Sequence, residues 1–461
     1  MKFRFILIVL AVLPLFTFSQ ASIEGQTKNA QGKKITLSTY ADMISYLEKT
    51  LASARIADDG TYTLEVPAKK VGFYNISIDF QTAEFYLQPD QHYMVNIEYD
   101  NVNSQISFTN PVSLKYELIQ PDSGLNQNIQ VVNAIYNDFI LGNFNAIYKR
   151  KQKHLLDSLK KYIHKAIKDT TNEYLKNYIR YKIASVEQFA RIKSREKIAE
   201  EYLIGREVLY NNVEYMAFFN QYFDKYFAAT SREIGWDELA FAINESADFN
   251  AFMAVIEKDR LLSRNRRILE MVVLKELQNL YYLEGMEKEN IRMFLSMAGT
   301  SFKYPENRDI AVNVIRKLTY LKTGTKAPDF QLPDFMGTLI ELSDLTDRPT
   351  FINFWNLSCK PCLDELDSIA AYKTQLNNRI RFISVSTDTD VVAAQKFVAH
   401  KEYGWTFLHY NEDYQLLKDY QVRTYPHNII IDQEGDVIKY PAKLPGESMK
   451  NMLRNISRAQ D

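Results

Sequence analysis

Residues 351–362 read FINFWNLSCKPC, and this stretch decides how the last part of the chain is interpreted. The apolar run 351–355 is typical of a buried strand. Pro361 suits the first turn of a helix, where a missing N–H costs no hydrogen bond. Two cysteines separated by two residues, between a strand and a helix, form a redox signature. The stretch therefore predicts a redox-active disulfide between Cys359 and Cys362.

The two thiols have different predicted roles. Cys359 lies at the predicted helix N-terminus, where unpaired backbone N–H groups stabilise a thiolate, and Lys360 follows it. We expect these groups to lower the pKa of Cys359 by about 1 to 2 units, which favours the thiolate by roughly 1.4 to 2.7 kcal/mol. Cys359 is therefore the predicted nucleophile. Cys362, one turn further along and less exposed, is the predicted resolving thiol.

Two other roles for the cysteine pair stay open at this point. A structural cross-link that closes four residues would constrain the unfolded chain by only about 2 kcal/mol, against about 3 for a 15-residue loop. Tetrahedral zinc needs four ligands, and the chain has only two cysteines, with His427 as the plausible recruit. Redox chemistry is the favoured interpretation, and we predict neither a metal nor a cofactor.

The composition of the 461-residue chain excludes several classes of protein. Apolar residues make up 46% of the chain, enough for sizeable cores, so it is not a disordered tail protein. Lys plus Arg is 56 and Asp plus Glu is 57, and a net charge of -1 supplies no broad attraction for phosphate backbones or anionic lipid surfaces. We therefore do not expect nucleic acid as a partner.

The first residues have the pattern of a secretory signal peptide, predicted over residues 1–21. Lys2 and Arg4 precede an apolar run over 5–18, and small or polar residues follow. The run is shorter than the roughly 20 residues of a permanent membrane-spanning helix. No cysteine lies near the expected cleavage point, so a thioether-linked lipid is excluded there. We expect a periplasmic protein without stable membrane insertion, with an uncleaved anchor as the alternative.

Three regions of different periodicity follow the signal peptide. Apolar residues alternate within 22–112, which predicts a small antiparallel, sandwich-like β domain. Residues 122–304 contain no proline and six glycines, which predicts an all-α domain over 113–321. Strands then alternate with helices, which predicts an α/β domain over 322–461. The predicted fold class is therefore multidomain.

Local signals place individual elements. Thr170 and Glu173 form a capping-box pattern that predicts a helix start. Gly25 and Gly32 are predicted turn residues, because no phosphate-loop pattern follows them. In the last region we predict strands over 350–354, 380–386, 428–431 and 437–440, and helices over 361–377, 391–402, 412–420 and 446–458.

The last region resembles the thioredoxin-like domain of the TlpA and ResA group of exported thiol-disulfide oxidoreductases. The matching motifs are GTKAPDF at 324–330, LSDL at 342–345, FW at 354–355 and VRTYP at 422–426. The resemblance implies a thioredoxin-like fold in which Pro426 is a cis-proline that faces the disulfide. It also implies that the backbone of Tyr425 pairs with a substrate peptide.

Three further residues complete the predicted site. Glu365 matches the family glutamate that tunes the thiols, and its spacing puts it on the Cys362 side of a helix; a solvated acidic residue is the equally weighted alternative. Trp355 is grouped with the substrate surface but is expected mainly to pack beside the thiols. His427 is grouped there too, and is weighed as a support for the Cys359 thiolate, or an acid, against an ordinary surface histidine.

The regions before residue 322 resemble, more distantly, the amino-terminal extension found before thioredoxin domains in exported Bacteroidetes proteins. The matching features are DGTY at 59–62 and FYLQP at 85–89. The resemblance implies no chemistry for this extension.

The sequence thus predicts an exported thiol-disulfide oxidoreductase that reduces disulfides of exported proteins or apocytochromes. A membrane thiol electron donor is an implied partner. One alternative is a partner-binding or glycan-binding protein in which redox activity is secondary. The other is a thiol peroxidase, which would need Thr and Pro where Asn356 and Ile352 stand.

Overall fold

The computed structural model of the chain describes residues 21–100, 113–119, 124–167, 171–345, 347–375, 379–442 and 447–458. The predicted signal peptide lies outside this part except for Ala21, which begins a strand. Within the described residues, no helix combines the length and apolar character needed to cross a bilayer.

The first region consists of two four-stranded sheets, with strand orders β4-β1-β7-β8 and β3-β2-β5-β6 among the described residues. The strands are β1 (Ala21–Lys28), β2 (Lys34–Tyr40), β3 (Glu48–Arg55), β4 (Thr61–Val66), β5 (Gly72–Ile78), β6 (Gln81–Leu87), β7 (His92–Glu98) and β8 (Lys115–Leu118). Alternate apolar residues of both sheets form one shared core, which is the arrangement of a sandwich.

One strand pair departs from the predicted antiparallel arrangement. β1 and β7 are parallel, because the chain passes through the other sheet between them. Gly25 lies inside β1 and not in the predicted turn: a Cβ there would lie 1.9 Å from the carbonyl oxygen of Val95 in β7. Close approach of these two strands therefore requires glycine. Gly32 does lie in a turn, with φ of 75°.

The central region is helical, as predicted. Its helices are α1 (Leu125–Phe144), α2 (His154–Ala166), α3 (Glu173–Phe189), α4 (Arg195–Ala199), α5 (Val213–Tyr222), α6 (Trp236–Asn244), α7 (Phe249–Ile256), α8 (Arg266–Leu280), α9 (Lys288–Ser301) and α10 (Pro305–Thr319). α3 begins at Glu173, but its cap is Asn172, whose side chain accepts the N–H of Leu175 at 3.1 Å. The predicted cap Thr170 lies outside the described residues.

The last region is an α/β domain with a thioredoxin-like sheet of order β13-β12-β11-β14-β15. β11, β12 and β13 are parallel, and β14 and β15 add antiparallel strands. The elements are β9 (Gln331–Pro333), β10 (Leu339–Glu341), β11 (Thr350–Trp355), α11 (Lys360–Gln375), β12 (Arg381–Ser386), α12 (Val391–Lys401), β13 (Thr406–His409), α13 (Tyr414–Asp419), β14 (His427–Ile431), β15 (Val437–Lys439) and α14 (Glu447–Arg458). The sequence did not predict β9, β10 or β13, which are only three or four residues long.

Alternate residues of β11 face opposite sides of this sheet. Phe351 packs with Ile369 of α11 and Leu453 of α14. Phe354 packs on the other side against Tyr420, with ring centroids 5.2 Å apart. Because side chains alternate along a strand, residue 353 also faces α11.

The β region contacts the thioredoxin-like domain at the start of α13. Lys33 forms ion pairs with Asp79 at 2.9 Å and with Glu412 at 3.3 Å. Phe80 meets the ring of Tyr414 edge-on, with centroids 4.8 Å apart. The contact thus combines a partly exposed ion pair, Lys33 with Glu412, and an aromatic pair.

Candidate active site

The two cysteines lie where β11 leads into α11, as the motif predicts. Cys359 immediately precedes α11 and Cys362 lies in its first turn. Their sulfurs form a disulfide with a Cα–Cα distance of 5.2 Å. Cys362 is fully buried, whereas Cys359 is partly exposed. Only the first sulfur is therefore accessible to another protein.

The start of α11 directs backbone donors at Cys359. The N–H of Cys362 donates to Cys359 Sγ at 3.1 Å. A sulfur that carries negative charge is stabilised at this position by the N–H groups that have no partner within the helix. The Lys360 ammonium instead pairs with Asp364 at 2.9 Å, one helical turn along. The stabilisation that we predicted from Lys360 is therefore shared with a carboxylate.

Glu365 is fully buried, so it is not the solvated first-turn residue of the alternative interpretation. It lies one turn beyond Cys362 on the same side of α11. Burial raises the pKa of Glu365 to about 7, and a hydrogen bond from Asn428 partly opposes that rise. A carboxyl group with this pKa can accept and release a proton near neutral pH.

Two asparagines that the sequence analysis did not select hold this carboxyl group. Asn353 Nδ2 donates to Glu365 Oε2 at 2.9 Å, and Asn428 Nδ2 donates to Glu365 Oε1 at 2.6 Å. Asn353 Nδ2 also donates to Asn428 Oδ1 at 2.9 Å. The two residues are register partners on β11 and β14, and both are buried. A polar residue inside the apolar run 351–355 was the signal that could have revealed Asn353.

The Tyr425–Pro426 peptide bond is cis, as the family resemblance implies. Tyr425 packs with Cys359 and Cys362 in one apolar cluster. Both Tyr425 and Pro426 are partly exposed. They therefore lie beside the disulfide and reach the surface, while their role in substrate binding remains a prediction.

Trp355 does not form part of an exposed substrate surface, although we grouped it there. Its side chain is fully buried next to Cys362, and its ring packs against Phe397 and Phe407 with centroids 5.8 Å and 6.0 Å apart. The reason is its position in β11, which directs it toward α11 and the aromatic cluster. Trp355 supports the wall behind the thiols.

His427 faces the other side of the sheet from Glu365. It is the register partner of Phe354, and its ring lies between Phe354 and Tyr440. Its Nε2 donates to the Tyr420 carbonyl at 2.9 Å, and burial lowers its pKa. These contacts give no support to a role as acid or as partner of the thiolate, because alternation along β14 sends residue 427 away from α11.

A metal site at the cysteine pair would need further ligands beyond the two thiols. Within the described part of the chain, no group of three or more His, Cys, Asp or Glu side chains is placed to hold a metal ion. The proposed recruit His427 lies on the other side of the sheet from Cys362.

Comparison with known proteins places this region among thioredoxin-fold proteins. The model of the AhpC/TSA family matches residues 323–440. The thiol-disulfide oxidoreductase ResA of Bacillus subtilis (strain 168) is 33% identical over 138 residues, which are 30% of this chain and 76% of that protein. ResA of Bacillus anthracis is 30% identical over 135 residues, which are 29% of this chain and 75% of that protein.

A solved structure is similar over the same region. The thiol:disulfide interchange protein from a Bacteroides species is 22% identical, and the alignment covers 30% of this chain and 92% of that one, with a TM-score of 0.28. Because this TM-score is low, the family assignment depends on the sequence relatives and not on the structural similarity.

Proposed function

Because the chain belongs to the ResA family of thiol-disulfide oxidoreductases through its thioredoxin-like domain, we propose that it is an exported enzyme that reduces disulfides of exported proteins. The observation that carries the proposal is the hydrogen bond of 3.1 Å from the Cys362 N–H to Cys359 Sγ. This hydrogen bond supports the partly exposed sulfur as the one that attacks. Glu365, buried one turn further along, supplies the proton acceptor.

The reaction that we propose proceeds in two exchange steps. The thiolate of reduced Cys359 attacks one sulfur of a substrate disulfide, and the other substrate sulfur leaves and takes up a proton. Cys362 then loses its proton to Glu365 and attacks Cys359 Sγ. This step breaks the mixed disulfide, releases the second substrate thiol and leaves the Cys359–Cys362 disulfide. Two electrons pass from the enzyme to the substrate.

The asparagine pair positions Glu365 for this proton transfer. Two donors hold both carboxyl oxygens, so the group cannot rotate freely. A donor to a carboxylate favours its charged form, whereas burial disfavours it. The balance leaves the pKa of Glu365 at about 7. At neutral pH the group then exists in both forms, as a proton relay requires.

Substrate capture would occur beside the cis-proline. Tyr425 and Pro426 are partly exposed, and Tyr425 packs in one apolar cluster with Cys359. The backbone of Tyr425 would pair with an extended segment of the substrate.

The proposed location rests on the leader pattern at residues 1–21. Disulfides form and persist outside the cytoplasm, so an enzyme with protein disulfides as substrates belongs in such a compartment. Each turnover leaves the enzyme oxidised, and a membrane thiol donor would restore the reduced form. Export, the donor and the periplasmic location are parts of this proposal.

A peroxidase reaction is less well supported. A thiol peroxidase needs Thr three residues before its reactive cysteine, and Pro seven residues before it. Asn356 accepts a hydrogen bond from Ser358 at 2.7 Å, and Ile352 is buried inside β11. Neither side chain can take the required part in holding a peroxide.

Disulfide exchange with stoichiometric electron transfer tests the proposed function. We expect the pre-reduced chain to reduce one insulin disulfide for each Cys359–Cys362 pair, because two thiols supply two electrons. Thiol titration and intact-mass measurement report the products. A chain with both Cys359→Ser and Cys362→Ser is the matched control. Equal insulin reduction by the control would contradict the proposal.

A further inference from the structure

The helical region carries an exposed apolar surface where α1 and α3 end. Leu141 is 80% exposed, Phe144 48% and Phe189 60%. The ring of Tyr148 contacts both phenylalanines, with its centroid 4.5 Å from that of Phe144 and 4.8 Å from that of Phe189. We call these four residues the aromatic patch. Contiguous apolar side chains on a soluble domain mark an interaction site.

A run of exposed cations borders the aromatic patch. Lys149, Arg150, Lys151 and Lys153 directly follow Tyr148 and are all exposed. Among the described residues, none of the four has an ion-pair partner. Lys160 of the following helix, by contrast, pairs with Glu187 at 3.1 Å. We call these four residues the basic turn.

A packed core fixes the position of both features. Ile147, Leu156, Val186 and Ala190 are buried together beneath the patch. The side chains above them are therefore held by the fold and do not belong to a frayed end.

The patch also lies at the end of α1 that is remote from the β region. Near the other end of α1, Asn126 bonds the backbone of Tyr86 at 2.8 Å in both directions. A helix of 20 residues is about 30 Å long, so the patch projects away from that contact.

From this juxtaposition we infer that the aromatic patch and the basic turn dock the protein reversibly on an anionic membrane surface. Rings with one polar tip, such as Tyr148, suit the boundary between headgroups and acyl chains. Exposed lysine and arginine residues next to that boundary attract anionic headgroups. The attraction is local, because the chain as a whole has a net charge of -1. It would bring the enzyme to the surface on which a membrane thiol donor would lie, but it does not depend on the thiol chemistry.

The composition of the basic turn favours lipid over an acidic protein. Three of its four cations are lysines, and lysine is depleted in protein–protein interfaces, whereas clusters of four or more cations are typical of contacts with anionic lipids. Lysine also keeps its charge in water while its stem covers apolar surface.

Vesicle sedimentation tests the proposal. We expect the full chain to bind vesicles of phosphatidylcholine with 30 mol% phosphatidylglycerol, on the order of the anionic content that attracts polybasic segments, and to be released by about 0.5 M NaCl. Lys149→Gln, Arg150→Gln, Lys151→Gln and Lys153→Gln together should weaken binding more than about tenfold, because each cation near a charged surface contributes. Leu141→Ser with Phe189→Ser should weaken binding without removing its salt dependence.

The matched control removes the same charge elsewhere. Lys28→Gln, Lys49→Gln, Lys317→Gln and Lys439→Gln change four exposed cations outside the patch and should leave vesicle binding within about twofold, since distant charges are screened. Binding to pure phosphatidylcholine measures any contribution of residues 1–20, which all chains share. Circular dichroism and insulin reduction confirm that each variant is folded.

Two results would overturn the proposal. One is equal loss of binding in the patch and control variants, which would show a general charge effect. The other is no binding of the unaltered chain to anionic vesicles but patch-dependent retention on an immobilised polyglutamate peptide. That result would assign the surface to an acidic protein partner.

Discussion

Cys359→Ser is expected to abolish disulfide exchange. The rate of substrate reduction should fall by about 1,000-fold or more. A serine hydroxyl is not ionised at neutral pH, and the remaining thiol of Cys362 is fully buried. The helix start that directs the Cys362 N–H at residue 359 cannot compensate for a missing thiolate. The measurement is single-turnover reduction of a self-quenched disulfide peptide by the pre-reduced chain.

Ser358→Ala is the matched control for that loss. Ser358 is exposed and adjacent to Cys359, and its hydroxyl donates to Asn356 at 2.7 Å. We expect its rate to remain within about threefold of the unaltered chain, as for most surface changes. Rapid peptide reduction by Cys359→Ser would mean that Cys362 attacks directly, and the assigned order of the two thiols would be wrong.

Glu365→Gln is expected to stabilise the thioredoxin-like domain at pH 8 by about 3 kcal/mol. Burial raises the pKa of Glu365 from 4.5 to about 7, so the folded domain favours the protonated form. The resulting stability is fully present below pH 4.5 and is lost as the pH rises through 7. The amide has no proton to lose, so the difference between variant and unaltered chain should grow from pH 4.5 to pH 8.

Urea unfolding followed by tryptophan fluorescence checks this expectation. A Trp236→Phe background leaves Trp355 and Trp405, which both lie in the thioredoxin-like domain. Asp364→Asn is the matched control, because Asp364 is an exposed carboxylate one residue earlier on the same helix. If the difference in unfolding free energy between Glu365→Gln and the unaltered chain did not change with pH, the raised pKa of Glu365 would be contradicted. Asn428→Ala should instead lower the stability of the domain at pH 8. The hydrogen bond from Asn428 lowers the pKa of Glu365, so its loss should raise that pKa further.

The sequence was sufficient for the parts of the fold that depend on long, regular patterns. The apolar run 351–355 and the cysteine motif located β11 and the start of α11, because a buried strand needs continuous apolar residues and a redox pair needs a helix N-terminus. The helical region followed from the absence of proline. β9, β10 and β13 escaped prediction, since three or four residues give little periodicity, although the equally short β15 was predicted.

The candidate site was only partly predictable for a related reason. Glu365 was found by its match to the family glutamate and its spacing on one helix, whereas the contact of Asn353 with Asn428 joins residues on two strands. Register across a sheet is a tertiary property, and one sequence does not report it. The same alternation buries Trp355 behind the thiols and turns His427 to the other side of the sheet. Proximity in sequence to the cis-proline was therefore misleading for His427.

Trapping with Cys362→Ser tests the central claim most directly. Without its resolving thiol, the enzyme cannot break the mixed disulfide that Cys359 forms. When this variant is produced with residues 1–21 retained and isolated after acid quenching, we expect covalent adducts with disulfide-bearing exported proteins. Peptide mass spectrometry should place every adduct on Cys359, and reductant should release them. The absence of adducts, or equal adducts on a chain that also carries Cys359→Ser, would contradict the account.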